Sequence, residues 1–238
     1  MNRTTSPNKF RRGLTDGIPI GLGYLSVSFG VGILASGSGL SILQAAVMSL
    51  SNLTSAGQVA GIAVIAASGG LIETVLTQLV INIRYSLMAI SLTQKLDGGF
   101  TTLRRMLTAF AITDEIFAVA SSREGRISPG YMYGLALIPI IGWTAGTFLG
   151  AAAGELLPAA VTSALGLSIY GMFLAIIIPP ARRSTGILLA VVFGAAVSCA
   201  LYYFTDISQG FSVIISAGAA AAAAALIRPA EAEVADEV

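Results

Sequence analysis

Ionisable side chains are rare inside the long apolar runs of this chain, and the ones that occur there are Glu73, Arg84, Asp114 and Glu115. On insertion scales a charge at the centre of a membrane span costs about 2.5–3.5 kcal/mol, so such residues are normally paired or functional. Thr113, Asp114 and Glu115 stand together in the middle of the apolar segment Met106–Ser121. Carboxyl groups in such a setting can take up and release protons, with burial and a neighbouring cation setting the balance. Arg84 is the counter-charge expected for Asp114. The chain has no histidine, which removes His-based zinc sites, Ser-His dyads and histidine proton relays together. No metal or other cofactor is expected and an enzyme is not; any proton chemistry falls to carboxylates.

A second group of polar residues interrupts another apolar region. Ser49, Ser51, Asn52, Thr54, Ser55, Gly57 and Gln58 lie between the apolar pieces Leu40–Leu50 and Val59–Ala67. Each piece is roughly ten residues, half of the ~20 needed to span a bilayer at 1.5 Å per residue. The pieces therefore form either one discontinuous span or a re-entrant hairpin. Both place a polar backbone near mid-membrane, which is tolerated only where it lines a cavity or packs against protein. Asn82, Arg84 and Tyr85 follow within the next span, Leu71–Leu92.

The elements that must position these groups read as an all-α, polytopic membrane protein of seven to eight hydrophobic segments. Of its 238 residues 55% are hydrophobic and 11% charged, against roughly 25% charged in soluble domains, and the mean hydropathy is +0.84. A net charge of +1 gives no case for nucleic acid, and lone Cys199 excludes an intrachain disulfide framework. Residues 1–12 read as a basic cytoplasmic segment, 13–228 as one transmembrane domain and 229–238 as a disordered acidic tail. Gly13, Gly17 and Gly21 in the first span, and Gly142, Gly146, Gly150 and Gly154 in a later one, recur every four residues, a spacing that lets helices approach closely. On a helical wheel Glu73, Thr77, Arg84 and Ser91 share one face within about 40°, and Gln78, Asn82 and Tyr85 share another within about 60°. Glu115 falls on a face with Arg104, Thr108 and Ser122, Asp114 among Leu107, Ala111 and Ala118. A further break is expected at Pro179–Thr185.

Gly39-Leu40-Ser41-Ile42 recurs as Gly166-Leu167-Ser168-Ile169, which suggests two repeat halves, 13–94 and 128–204. Orientation has two solutions. Eight full crossings with both termini cytoplasmic leave Lys95, Arg104 and Arg105 outside, against the positive-inside rule. If Leu40–Ala67 and Met106–Ser121 both avoid crossing, that loop lies inside.

The order of a glycine-rich first span, Ser55-Ala56-Gly57-Gln58, Asn82-x-Arg84-Tyr85 and Thr113-Asp114-Glu115 resembles the AzlC-type branched-chain amino acid permeases, over about residues 13–204. Many relatives of that type carry His where this chain has Tyr85, so a hydrogen-bonding role transfers to that position and a proton-handling one does not. The resemblance implies a secondary transporter of a prokaryotic cytoplasmic membrane, exporting branched-chain amino acids with a small hydrophobic AzlD-type subunit. The expected substrate-binding set is Ser49, Ser51, Asn52, Ser55, Gly57, Gln58, Asn82, Arg84 and Tyr85. The expected proton-coupling or charge network is Glu73, Arg84, Asp114 and Glu115. A zwitterionic amino acid needs donors for its carboxylate and acceptors for its ammonium, which the exposed ends of a broken helix supply. A small-solute channel and a structural membrane subunit are the competing readings.

Overall fold

The computed structural model of the chain describes residues 7–158, 160, 161, 164 and 167–227. Among them ten helices are α1 (Pro7–Gly37), α2 (Ile42–Ser51), α3 (Ser55–Ala66), α4 (Leu71–Thr93), α5 (Thr102–Phe110), α6 (Asp114–Ser122), α7 (Pro129–Leu156), α8 (Ser168–Arg183), α9 (Thr185–Phe204) and α10 (Gln209–Ile227). Five of them, α1, α4, α7, α9 and α10, are long and apolar enough to cross a membrane. The described residues form two compact units. One holds those up to Val59 with Asn82–Ser168, the other Ala60–Ile81 with those from Ile169 on. The second copy of the tetrapeptide, from Gly166, and the acidic tail lie wholly or partly outside the described residues.

The first unit is organised on a seam between α1 and α7. A Cβ on Gly13 would overlap the backbone around Tyr131–Leu135, one on Gly21 the backbone of Ile138, one on Gly142 the backbone of Gly21, and one on Gly150 the backbone of Phe29. The two glycine ridges therefore face each other, backbone to backbone, as small-residue helix interfaces do. Contacts advance in the same direction along both helices, so α1 and α7 run parallel.

The segment Met106–Ser121 is not one helix. It breaks at Ala111–Thr113, where Ala111 ends α5 and the Thr113 hydroxyl accepts the Ile116 N–H at 3.3 Å as the N-cap of α6. The wheel that placed Glu115 with Arg104 and Thr108 assumed a continuous helix and does not survive the break. The α5–α6 pair returns to where it started. Asp97 N–H donates to Ile127 O and Ile127 N–H to Lys95 O, both at 2.8 Å. Arg126 donates to Leu96 O at 3.1 Å, and the Lys95 ammonium donates to Ser121 O and Arg123 O. Its two ends are thus stapled into a re-entrant hairpin. This base sits at the same end of the unit as the start of α1, where Asp16 accepts from Tyr131 at 2.7 Å and lies 3.6 Å from Arg123, whose guanidinium stacks 4.1 Å from the Tyr131 ring centroid.

These facts decide between the two orientations. Parallel α1 and α7 require an odd number of crossings between them; α4 supplies one and α5–α6 none, so α2–α3 is also re-entrant and opens to the opposite face. Lys9, Arg11, Arg12, Lys95, Arg104, Arg105, Arg123 and Arg126 then share one face, the cytoplasmic one by the positive-inside rule.

In the second unit, Pro179 and Pro180 lie inside α8, which continues to Arg183, and the break falls at Ser184, whose hydroxyl accepts the Ile187 N–H at 3.4 Å to cap α9. The interruption expected at Pro179–Thr185 is thus confined to its last residues, and the two prolines sit inside the helix, each removing one N–H from its ladder.

Candidate functional site

The first break lies between α2 and α3. Asn52 ends α2 in an extended conformation with its N–H on Met48 O, and the Thr54 hydroxyl accepts the Gly57 N–H at 3.3 Å, capping α3. The same hydroxyl donates to Asn82 Oδ1 at 2.8 Å, which fixes the break against the middle of α4. Behind it is a closed ring of hydrogen bonds. Trp143 Nε1 donates to Gln58 Oε1 (2.5 Å), Gln58 Nε2 to Ser49 Oγ (2.8 Å), Ser49 to Thr147 Oγ1 (2.6 Å) and Thr147 to the Trp143 carbonyl (3.1 Å). All four side chains are buried. Each of the four side chains donates one hydrogen bond within the ring, as burial in a low-dielectric interior demands.

The second break repeats the device. The Thr113 hydroxyl caps α6 and lies 2.6 Å from the Tyr24 hydroxyl, which also hydrogen-bonds the Glu115 carboxylate. Tyr24 has one proton, so it donates to Glu115 and accepts from Thr113. Asp114 pairs with Arg84 at 2.9 Å, and Arg84 also donates to Tyr85 Oη at 3.2 Å with its guanidinium 5.0 Å from that ring's centroid. The Arg84 and Asp114 side chains are 43% and 42% exposed, so this pair is open where the Trp143 ring is closed. Tyr24 and Trp143 meet edge to face, with centroids 5.3 Å apart, and that contact joins the two breaks.

The expected site residues thus sort into four groups. Asn82, Arg84, Tyr85, Asp114 and Glu115 gather with Thr54 and Thr113 at the breaks, with Asn52, Ser55 and Gly57 on the backbone beside them. Ser49 and Gln58 are there too, but inside the closed ring. Ser51 turns away, donating back to Val47 O and Met48 O of its own helix. Glu73 belongs to the second unit, where it is buried and its Oε1 accepts from Ser208 Oγ at 2.5 Å and Gly210 N at 2.9 Å. Its partners are donors at the start of α10 rather than charges, and a carboxylate there is stabilised by the exposed N–H groups.

Sequence reading passed over Tyr24, Trp143 and Thr147 and left Thr54, noted in the polar break, out of the expected binding set. Signals for two of them were present: Trp143 is the sole tryptophan, and Leu53-Thr54-Ser55 parallels Ile112-Thr113-Asp114. Chemically, each break starts a helix whose N-terminus is equivalent to roughly +0.5 charge, and the second also carries one exposed ion pair and one carboxylate held by a tyrosine.

Spanning helices interleaved with two opposed re-entrant hairpins define a polytopic α-helical membrane protein. The AzlC protein family model matches residues 19–157, more than half of the chain. The chain is 32% identical to an uncharacterized membrane protein of Archaeoglobus fulgidus over 92% of its own length and 96% of the relative's. It is 29% identical to the inner membrane protein YgaZ of Escherichia coli K12 over 81% and 82%. This chain belongs to the AzlC family. Family and relatives together support a transport-related role in the membrane. No solved structure matches the chain.

Proposed function

We propose that the protein is a secondary transporter that exports branched-chain or similar small hydrophobic amino acids across the cytoplasmic membrane, driven by the proton gradient. The observation that carries this reading is a half-helix N-terminus at each of two breaks, the second of which bears the open Arg84–Asp114 pair. An amino acid presents a carboxylate, an ammonium and a side chain. Exposed N–H groups at a helix start and a guanidinium suit the carboxylate. Asn82 Oδ1 and the Asp114 carboxylate suit the ammonium, and the remaining carboxylate, Glu115, is occupied by the Tyr24 hydroxyl, which leaves an apolar side chain the better fit.

Charge balance provides the coupling. Arg84 and two half-helix ends, each worth roughly +0.5, offset Asp114 and Glu115 when both acids are ionised. A proton on Asp114 removes the acceptor that the substrate ammonium needs, and an ammonium seated there keeps the proton off. Proton and substrate therefore exclude one another at one carboxylate, as exchange of an inward proton for an outward amino acid requires. The same reading brings a small hydrophobic second subunit, expected to co-purify with the chain.

The test is Asp114→Asn in proteoliposomes. Concentrative export driven by a pH gradient should be lost while leucine–leucine exchange persists; full gradient-driven export by this variant would remove Asp114 from coupling. Accelerated uptake into vesicles preloaded with leucine distinguishes a carrier from a channel.

A further inference from the structure

Between the last turns of α4 and the outer face of α5 lies a cleft of about 270 Å³ that no part of the transport reading uses. Ile90 and Leu96 line it from α4 and the following loop, and Arg105, Thr108, Ala109 and Ile112 line it from α5 and the break. Ile90 is 64% exposed, so the cleft opens sideways, toward the bilayer. Its walls are apolar apart from three residues, of which Thr93 already donates its hydroxyl to Ile90 O at 2.6 Å. Arg105 is exposed at the cytoplasmic end, and the Thr108 hydroxyl is buried without a hydrogen-bond partner. A buried hydroxyl with no partner costs about 1–3 kcal/mol, and in this cleft it is an unmet demand for a polar ligand atom.

We propose that this cleft binds an anionic phospholipid of the cytoplasmic leaflet, headgroup on Arg105 and acyl chain in the groove. The spacing along α5 matches that molecule. At 1.5 Å per residue, Thr108 lies roughly 4–5 Å and Ala109 roughly 6 Å deeper than Arg105, and Ile112 follows beyond the end of α5. Phosphate, glycerol ester oxygens and the upper acyl chain follow one another in that order and on that scale. Lys95, Arg104 and Arg126, which donate to carbonyls around the base of the α5–α6 hairpin, keep this end of the unit basic, and juxtamembrane basic clusters attract anionic lipid. The volume lies below that of drug-sized pockets, about 300–1,000 Å³, and admits one chain rather than a helix or a peptide. Ile112 directly precedes Thr113 and Asp114, so the bound chain braces the second break and gives the transporter a dependence on membrane composition that is separate from substrate recognition.

The experiment is thermal unfolding of the purified full chain in detergent, followed by the fluorescence of Trp143, with long-chain phosphatidylglycerol, phosphatidylcholine of the same chain length, or glycerol phosphate added. Phosphatidylglycerol should raise the midpoint by about 5–10 °C more than phosphatidylcholine, the shift expected for a ligand near 100 times its Kd on a chain of this size. Arg105→Gln and Ala109→Phe should each lose most of that increment, and Arg11→Gln, which keeps the face basic but lies outside the cleft, should retain it. If Ala109→Phe does not fold, Thr108→Val serves instead and should weaken the response. Equal stabilisation by both lipids, or a full increment in Arg105→Gln and the cleft variant, overturns the proposal. A matching shift from glycerol phosphate alone would make this a simple anion site and overturns it equally. None of these readouts requires transport, so they stand or fall independently of the exporter reading.

Discussion

Gln58 distinguishes a structural ring from a substrate site. The structure uses its amide twice, as acceptor for Trp143 and as donor to Ser49. Gln58→Leu keeps roughly the volume and removes both functions. Ser49 keeps Thr147 as a partner, so its loss is small, whereas the Trp143 N–H is stranded in a site only 2% exposed. Stranding one buried donor costs about 1–3 kcal/mol. For chains of 150–250 residues each kcal/mol moves the melting midpoint by about 2–4 °C, so the variant should melt about 2–12 °C lower by circular dichroism. Trp143→Phe removes the other partner. The double variant should be less destabilised than the two singles together by at least about 1 kcal/mol, because no orphaned donor remains. Leucine affinity should change little throughout. Unchanged melting with lost leucine binding would show Gln58 to be a substrate ligand and refute the ring argument.

Three further outcomes follow from the packing. Gly150→Ala forces a Cβ into the Phe29 backbone and should cost about 1–3 kcal/mol; Gly171→Ala, with nothing within 4 Å, should be neutral or stabilising by up to about 1 kcal/mol, and equal melting of the two would argue against the seam. Glu73→Gln retains an acceptor for Ser208 and Gly210 and should melt near wild type, while Glu73→Ala, which leaves both donors without one, should lose about 2–4 kcal/mol. With Cys199 replaced by serine, cysteines at Thr102 and Gly125 should react with impermeant maleimide only from the cytoplasmic side and one at Ser38 only from the other; labelling of Thr102 from outside would break the crossing count.

Much of this arrangement was legible because membranes restrict what polar residues can do. A Ser-Asn-Thr-Gln cluster between two ten-residue apolar pieces had few homes other than a broken helix, and Asp114 in a chain with few buried cations had one obvious partner in Arg84. The glycine ridges were visible as packing surfaces, though nothing local says that the two face each other. What sequence concealed were pairings across long separations. Met106–Ser121 looks continuous because Ala111 and Ile112 are tolerable helix residues; the break is imposed by Thr113 capping α6 and by Lys95 and Arg126 closing the base. Glu73 appeared to belong with the other charges because a helical wheel registers faces and not neighbours. Its neighbours are Ser208 and Gly210, more than a hundred residues away in sequence.

The α1–α7 seam also bears on how the chain is made. Gly21 meets Gly142 only after more than a hundred further residues have left the ribosome, an interval on the order of ten seconds at about 5–20 residues per second. Throughout it α1 lies in the bilayer with Asp16, Tyr24 and Ser28 deprived of the partners they later find on α6 and α7. Helix α1 precedes its partners in the chain and is satisfied only once they follow. Nascent chains arrested before α7 should therefore leave α1 in contact with the insertion machinery, and only chains long enough to expose Gly150 should release it.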